Sequence, residues 1–353
     1  MKNILLLLGQ HDITEINSAP KVRTYCLYNE LKKQIPTVLI TGSRLARMFD
    51  LIKYLLTNNL RVTKYVYLEP ATSSPTPIDL LFLILCYINN IPIAVFVRDV
   101  HQLYKNQCKV NSVKTIILFY GWKIAVNIYC SIADILYFPT KEMSAYIHFH
   151  TKKLMPPGGI LRENIKQAIS NKKEKIIIYI GGNEPFYGID IFVEAMKLVT
   201  KKHSDAVCYI ISKGDFSYLG EARGEKWLHI QQANFNEIDK IMSKAYLAVS
   251  PLRKNGYGGI TIALKMYDYM SYGKPIIATS CPPQERFIQE NKCGILVEDT
   301  SASMADGICY LLDNPKLNTE LGKNGLDALK KHHLWKHRAE QIISDLSNVK
   351  IKK

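Results

Sequence analysis

No two cysteines of this chain stand in a CxxC pair. The eight, at 26, 86, 108, 130, 208, 281, 293 and 309, are scattered singly through 353 residues. That spacing offers neither a zinc ribbon nor a thioredoxin-like redox motif, and it reads as free thiols in a reducing cytoplasm. Histidine gives no metal site either. His148 and His150 in IHFHT, and the pair His332 and His333, have no cysteine or carboxylate at ligand spacing, so no metal is expected. Long uninterrupted apolar runs are missing too. The first, residues 4–8 before Gly9, is too short for a signal-peptide core and suits a buried first strand. The most apolar stretch, 78–97 (IDLLFLILCYINNIPIAVFV), is broken by Asn89, Asn90 and Pro92. Its leading part is too short to span roughly 30 Å of hydrocarbon, so helix, turn and buried strand is the reading. Low-complexity segments, short-period repeats and nucleic-acid-binding motifs are absent as well, and no nucleic-acid partner is expected.

What is present is a globular composition, 47% hydrophobic and 22% charged, with length enough for two cores. The net charge of +15, somewhat concentrated in the first half, suits phosphates or an anionic lipid surface. Short apolar runs recur at 3–8, 37–41, 64–68, 93–97 and 135–138. After LMPPGGI (154–160) they restart at 175–182, 206–212, 228–231, 245–252, 275–279 and 294–299. Helical stretches such as 20–34 and 188–202 separate them. Continuous apolar strands are buried on both faces, and strands alternating with helices make a parallel, doubly wound sheet. The expected fold is therefore α/β, with two Rossmann-like domains over 1–160 and 161–332. Ligands of such domains gather at the C-terminal edges of the strands, in a cleft between the two sheets.

Residues 250–279 (SPLRKNGYGGITIALKMYDYMSYGKPIIAT) concentrate the chemistry. A strand ends at Pro251, a glycine-containing loop follows over 255–259, and a helix is expected to open near Ile260–Ala263. A glycine loop opening a helix turns backbone N–H groups toward a ligand and suits a pyrophosphate. Asp268, about two turns in, is placed to accept hydrogen bonds from ribose hydroxyls. A plain βα loop with a surface acid has the same spacing, so the residues alone leave both readings open.

The segment KMYDYMSYGKPIIAT (265–279) closely resembles the signature of the group 1 (family 4) retaining glycosyltransferases of GT-B fold. Weaker resemblances cover most of the chain: VRDVHQLY (97–104), ADILYFPTKEM (133–143), LMPPGG (154–159), IIIYIGGNEPFYGIDIFVEAM (176–196) and LWKHRAEQI (334–342). The resemblance implies GT-B architecture, with the first domain taking the acceptor and the second a nucleotide diphosphate sugar. It also implies that the closing helix, about 333–347, packs back on the first domain. By the same token Asp268 holds the donor ribose, the amides of Gly258, Gly259, Ile260 and Thr261 hold the diphosphate, and Lys265 sits near the phosphates. Two departures stand out. The first of the family's paired acids falls on Ile260. The Arg and Lys expected in the loop after the first strand of the donor domain fall on Gly182 and Tyr187. Lys213 and Arg253, both at strand ends, are the candidate replacement cations.

On the acceptor side, Asp99 and His101 follow the strand 93–97 and could take or orient the proton of an acceptor hydroxyl. An Arg98–Asp99 ion pair that organises the loop is the alternative. Arg23, near the start of a helix where a cation is unfavourable, and His11 are acceptor-binding candidates. Helix 112–130 is apolar and aromatic with Lys114 and Lys123, fit either to lie in an anionic membrane interface or to cross the domain core. The expected function is thus hexose transfer with retention to a saccharide or lipid-linked acceptor, in cell-envelope polysaccharide or glycolipid synthesis. The place is the cytoplasm or the inner face of its membrane. A non-catalytic sugar- or partner-binding relative and a nucleotide-sugar epimerase are the alternatives.

Overall fold

The computed structural model describes residues 3–9, 12–14, 18–57, 59–70, 75–100, 113–162 and 174–350. The chain forms two compact units, one of Met1–Gly158 with Trp335–Lys353 and one of Gly159–Leu334.

In the first unit six strands are joined by helices. They are β1 (Ile4–Gly9), β2 (Thr37–Ile40), β3 (Thr63–Glu69), β4 (Ile93–Phe96), β5 (Ile135–Phe138) and β6 (Lys152–Leu154). All neighbours pair in parallel, in the order β2-β1-β3-β4-β5-β6. Leu5–Leu8 are fully buried, which is why the run shows no alternation: helices cover both faces of the sheet. The helices are α1 (Ala19–Leu31), α2 (Arg44–Leu56), α3 (Pro77–Ile88), α4 (Val113–Ile132) and the single turn α5 (Lys141–Ser144). Helix α3 starts where the chain dictates: Pro77 follows Thr76, which forms a capping box with Asp79. The same Asp79 takes a two-pronged contact from Arg47, at 3.0 and 2.9 Å, tying α3 to α2 through a buried ion pair.

The second unit repeats the plan with β7 (Lys175–Ile180), β8 (Ala206–Ile211), β9 (Leu228–Gln231), β10 (Leu247–Ser250), β11 (Ile276–Thr279) and β12 (Gly294–Val297). These six parallel strands run β12-β11-β10-β7-β8-β9. Around them lie α6 (Ile189–Lys202), α7 (Phe235–Lys244), α8 (Lys265–Ser271), α9 (Pro282–Asn291), α10 (Ser301–Asp313) and α11 (Pro315–Ala328). The chain then returns to the first unit as α12 (Trp335–Ser347), which packs on α1. The Gly158-Gly159 pair seen in the sequence is a packing device rather than a turn. A Cβ on Gly158 would fall 2.8 Å from the Trp335 ring, and one on Gly159 2.6 Å from Leu329.

Candidate functional site

Strand β7 lies between β8 and β10. The chain leaves β7 toward β8 and β9 on one side and comes back to β10 on the other. The loops that follow β7 and β10 therefore diverge from adjacent strand ends, which is the topological switch point where open α/β sheets take ligands. The two loops meet: the Arg253 amide donates to the Phe186 carbonyl at 2.9 Å. Gly188, in the left-handed region at φ +67, sits so close to Pro251 that a Cβ would fall 1.9 Å from its carbonyl oxygen. Gly258 and Gly259 are buried for a similar reason. A side chain on either would strike the carbonyl of Arg253 or Lys254, at 2.5 and 2.0 Å. These glycines fold the β10 loop back on itself.

That folding corrects the expected helix start. Residues Gly256–Ile260 form a 3-10 turn, Thr261 is extended, and α8 begins only at Lys265. Asp268 consequently lies in the first turn of α8 rather than two turns in.

Lys265 opens α8, packed against the end of β7. Its side chain is buried, 6% exposed, and its ammonium has no hydrogen-bond partner. The Nζ lies 3.7 Å from the centre of the Tyr179 ring and 4.9 Å from that of Tyr187. A Cβ on Gly181 would come within 3.1 Å of it. Tyr179 is itself fixed, donating to the Gly182 carbonyl at 2.6 Å. Burial holds the Lys265 amine well below the ordinary lysine range, with the negative charge of Glu184 opposing that shift. A buried amine on aromatic faces with no hydrogen-bond partner is a costly arrangement that an incoming phosphate would relieve.

Asp268, one turn further along, is partly buried, and its carboxylate accepts no hydrogen bond among the described residues. Burial pushes its carboxyl up to about 7, against the pull of the Arg162 charge. Arg162 pairs with Asp239 at 2.6 Å and lies 4.6 Å from the Tyr272 ring, whose hydroxyl also donates to Asp239. Lys265 and Asp268 of α8 are thus both shifted against their charged forms, a pattern common at functional sites.

The other donor-side candidates differ in how they are held. Gly182 lies in the β7 loop against Glu184 and Tyr187. Lys213, past the end of β8, is exposed. Arg253 is engaged: it pairs with Asp190 and donates to the Pro185 carbonyl at 3.1 Å, so its charge ties the β10 loop to the turn before α6. Ile260 closes the 3-10 turn and Thr261 follows it. Tyr179, Tyr187 and Glu184 were not anticipated as site residues. An aromatic two positions before a Gly-Gly at a strand end was the available signal for the first.

In the first unit Arg23 is buried inside its own domain. It donates to Glu69 at 2.7 Å and to the Tyr67 hydroxyl at 3.2 Å, and its guanidinium lies 3.5 Å from the centre of the Phe96 ring. The cation near this helix start is offset by Glu69 in an internal ion pair. Its Nη1 remains buried without a partner. Asp99 forms the anticipated pair with Arg98, Nε to Oδ2 at 3.0 Å. His11 and His101 lie outside the described residues.

Residues 174–314 match the family model described as glycosyl transferases group 1. This segment is similar to the group 1 glycosyltransferases. The matched segment holds β7 through α10 and with them Lys265 and Asp268. A phosphatidyl-myo-inositol mannosyltransferase of Mycobacterium leprae (strain TN) is 25% identical over 174 residues, 48% of this chain and 45% of that protein. The chain spans about half the length of the curated relatives it matches. Among solved structures, the sucrose-phosphate synthase of Thermosynechococcus elongatus superposes with a TM-score of 0.70 at 14% identity, over 98% of each chain. Anabaena HepE in complex with UDP gives 0.68 at 13% identity, over 99% of this chain and 100% of that one. Such likeness shows the fold, and the fold is GT-B.

Proposed function

We propose that the chain is a retaining glycosyltransferase that takes a hexose from a nucleotide diphosphate sugar bound at the switch point of the second unit. The observation that carries this reading is the buried, unpartnered Lys265 ammonium beside Gly181 and Gly182, with the uncommitted Asp268 carboxylate one turn away. The diphosphate supplies the anion that Lys265 lacks, and the ribose hydroxyls donate to Asp268. Lys265 takes over the task of the Arg and Lys that Gly182 and Tyr187 replace. Lys213, exposed at the end of the neighbouring strand, can add long-range attraction but makes no fixed contact.

During transfer the bond from the sugar's anomeric carbon to the diphosphate oxygen breaks, and a bond to the acceptor oxygen forms on the same face. Negative charge gathers on the departing diphosphate, where a fixed ammonium in a dry site is worth most. The leaving phosphate oxygen takes the acceptor's proton. The first unit is assigned the acceptor, a saccharide or a lipid-linked sugar, with Asp99 and His101 as the groups that orient its hydroxyl. The mannosyltransferase relative bears on the class of reaction; the sugar, base and linkage here follow from experiment.

Incubating the protein with UDP-, GDP- and ADP-hexoses and a crude lipid or saccharide extract should release one nucleoside diphosphate, dependent on acceptor and lost in Lys265→Met. A non-catalytic sugar-binding role is the second reading, favoured by Ile260 at the position of the family's first acid. It predicts nucleotide binding without release under any acceptor. Epimerisation predicts a changed sugar with no acceptor present.

A further inference from the structure

In the loop after β7, where the resemblance expects cations for the phosphates, an acid stands instead. Gly182 carries no side chain, and the Glu184 side chain folds back over it. A Cβ on Gly182 would collide with the Glu184 carboxylate and, at 2.5 Å, with the Tyr187 ring. Glu184 occupies the cap position of the 3-10 turn Pro185–Tyr187, yet its side chain makes no cap hydrogen bond. No hydrogen bond or ion pair reaches its carboxylate among the described residues. Its charge acts on Lys265, but Lys265 Nζ does not bond to it. The neighbouring polar side chains are committed elsewhere. Asp190 pairs with Arg253, and Asn183 donates to the Asp215 carbonyl at 3.0 Å. Glu184 is left as the uncommitted carboxylate of this loop.

A carboxylate beside a diphosphate site is unfavourable by itself, because two anions repel. It becomes favourable when the ligand brings hydroxyl donors next to its phosphates, since an ionised carboxylate is acceptor-only. A nucleotide diphosphate sugar has such donors at two places, the ribose on one side of the diphosphate and the hexose on the other. Asp268 is assigned the ribose. Glu184, on the β7 loop rather than on α8, remains for the hexose. Ile260, where the resemblance places the family's first acid, offers no acceptor. The rings around Glu184 suit the same ligand. The centres of Phe186 and Tyr187 lie 4.4 Å apart, Tyr257 of the β10 loop meets Phe186 edge-on at 5.4 Å, and all three are half-buried. A hexose shows hydroxyls at its rim and C–H groups on its faces, so it fits an acceptor set among aromatic rings.

We propose that Glu184 holds the hexose of the donor, its carboxylate oxygens accepting from sugar hydroxyls while Lys265 faces the diphosphate. The assignment rests on the reading that a nucleotide diphosphate sugar occupies this site, and it adds which residue selects the sugar. It makes an acid of the β7 loop the substitute for the one that Ile260 lacks. It also gives the side chain two opposed effects. The carboxylate repels a bare diphosphate and favours one that carries a hexose, so Glu184 sets the preference of the site for nucleotide sugar over free nucleotide.

The test is calorimetric titration of the intact chain, and of its Glu184→Ala and Glu184→Gln variants, with UDP, GDP and ADP, each beside its glucose and mannose esters. The wild type should bind one nucleotide sugar more tightly than the matching free diphosphate. Glu184→Ala should weaken that nucleotide sugar by about ten- to a hundredfold, the loss expected of hydrogen bonds to a charged acceptor, while the free diphosphate binds as before or more tightly. Glu184→Gln keeps one acceptor oxygen and should fall between the two. Glu184 is exposed, so unchanged thermal unfolding verifies the fold of both variants. A wild type that does not distinguish sugar from free diphosphate, equal losses for the two ligands in Glu184→Ala, or no loss for the sugar overturns the proposal and leaves the diphosphate site standing. A wild type that binds none of these nucleotides overturns the site itself, and the proposal with it.

Discussion

Replacing Asp268 with Asn should change how stability depends on pH. Burial raises the Asp268 carboxyl from an ordinary 3.8 to about 7. The unfolded chain thus releases this proton near pH 4, and the folded chain only near pH 7. Between those values the native state holds more of it. The group's contribution is therefore complete below pH 4 and is lost as pH rises through about 7. At ~1.4 kcal/mol per pH unit, a separation of about three units bounds the loss at about 4 kcal/mol. Asparagine carries no such proton. Urea unfolding at pH 4 to 8 should show the Asn variant gaining on the wild type as pH rises, by about 1–4 kcal/mol over the range. Nucleotide should narrow the gap, because ribose hydroxyls donating to the carboxylate favour its ionised form. Parallel stability curves for the two proteins across that range, without nucleotide, would refute a desolvated carboxyl at this position.

Lys265→Met removes a buried amine that has no hydrogen-bond partner, so it should raise stability by about 1–3 kcal/mol while weakening nucleotide binding at least tenfold; paired unfolding and calorimetric titrations read both. Loss of stability together with unchanged affinity would make Lys265 a packing residue. Gly259→Ala puts a methyl about 2.0 Å from the Lys254 carbonyl and should cost about 2 kcal/mol or more, with a drop in Tm and in nucleotide affinity as the β10 loop shifts. Glu69→Gln leaves the buried Arg23 guanidinium uncompensated and should destabilise the chain by about 3–5 kcal/mol. A Glu69→Gln protein with wild-type Tm would show that water or another group already serves Arg23.

Much of the architecture was legible because it rests on local pattern. Eleven apolar runs announced eleven of the strands, since a strand covered on both faces has no reason to alternate. Strand β6, Lys-Lys-Leu at the sheet edge, carries no such mark: its side chains are exposed or half-buried, and only its pairing with β5 defines it. The donor site was partly legible. Asp268 and Lys265 could be singled out from the motif, but their state could not. The isolation of the Lys265 ammonium depends on Tyr179 and Gly181, far away in sequence, and on a 3-10 turn that delays the helix. Arg23 shows the same boundary. Its role is set by Glu69 across a gap of 46 residues, which no local spacing reveals. The apolar stripe of α2 reads in the sequence as an ordinary amphipathic helix. Only the structure shows that Arg47, paired with Asp79, faces inward with Leu51 and Tyr54 while Leu45, Phe49, Ile52 and Leu56 face out.

The central claim is that the crevice at the ends of β7 and β10 holds a nucleoside diphosphate. Isothermal titration of the intact chain with UDP, GDP and ADP addresses it most directly, with proton exchange measured by repeating the titration in two buffers of different ionisation enthalpy. One nucleotide should bind with micromolar affinity; Lys265 takes up proton as it gains an anionic neighbour while Asp268 releases proton to the ribose contact, so Lys265→Met should shift the proton count toward release. No heat with any of the three at millimolar concentration, or binding with the same proton count in Lys265→Met, would contradict the account.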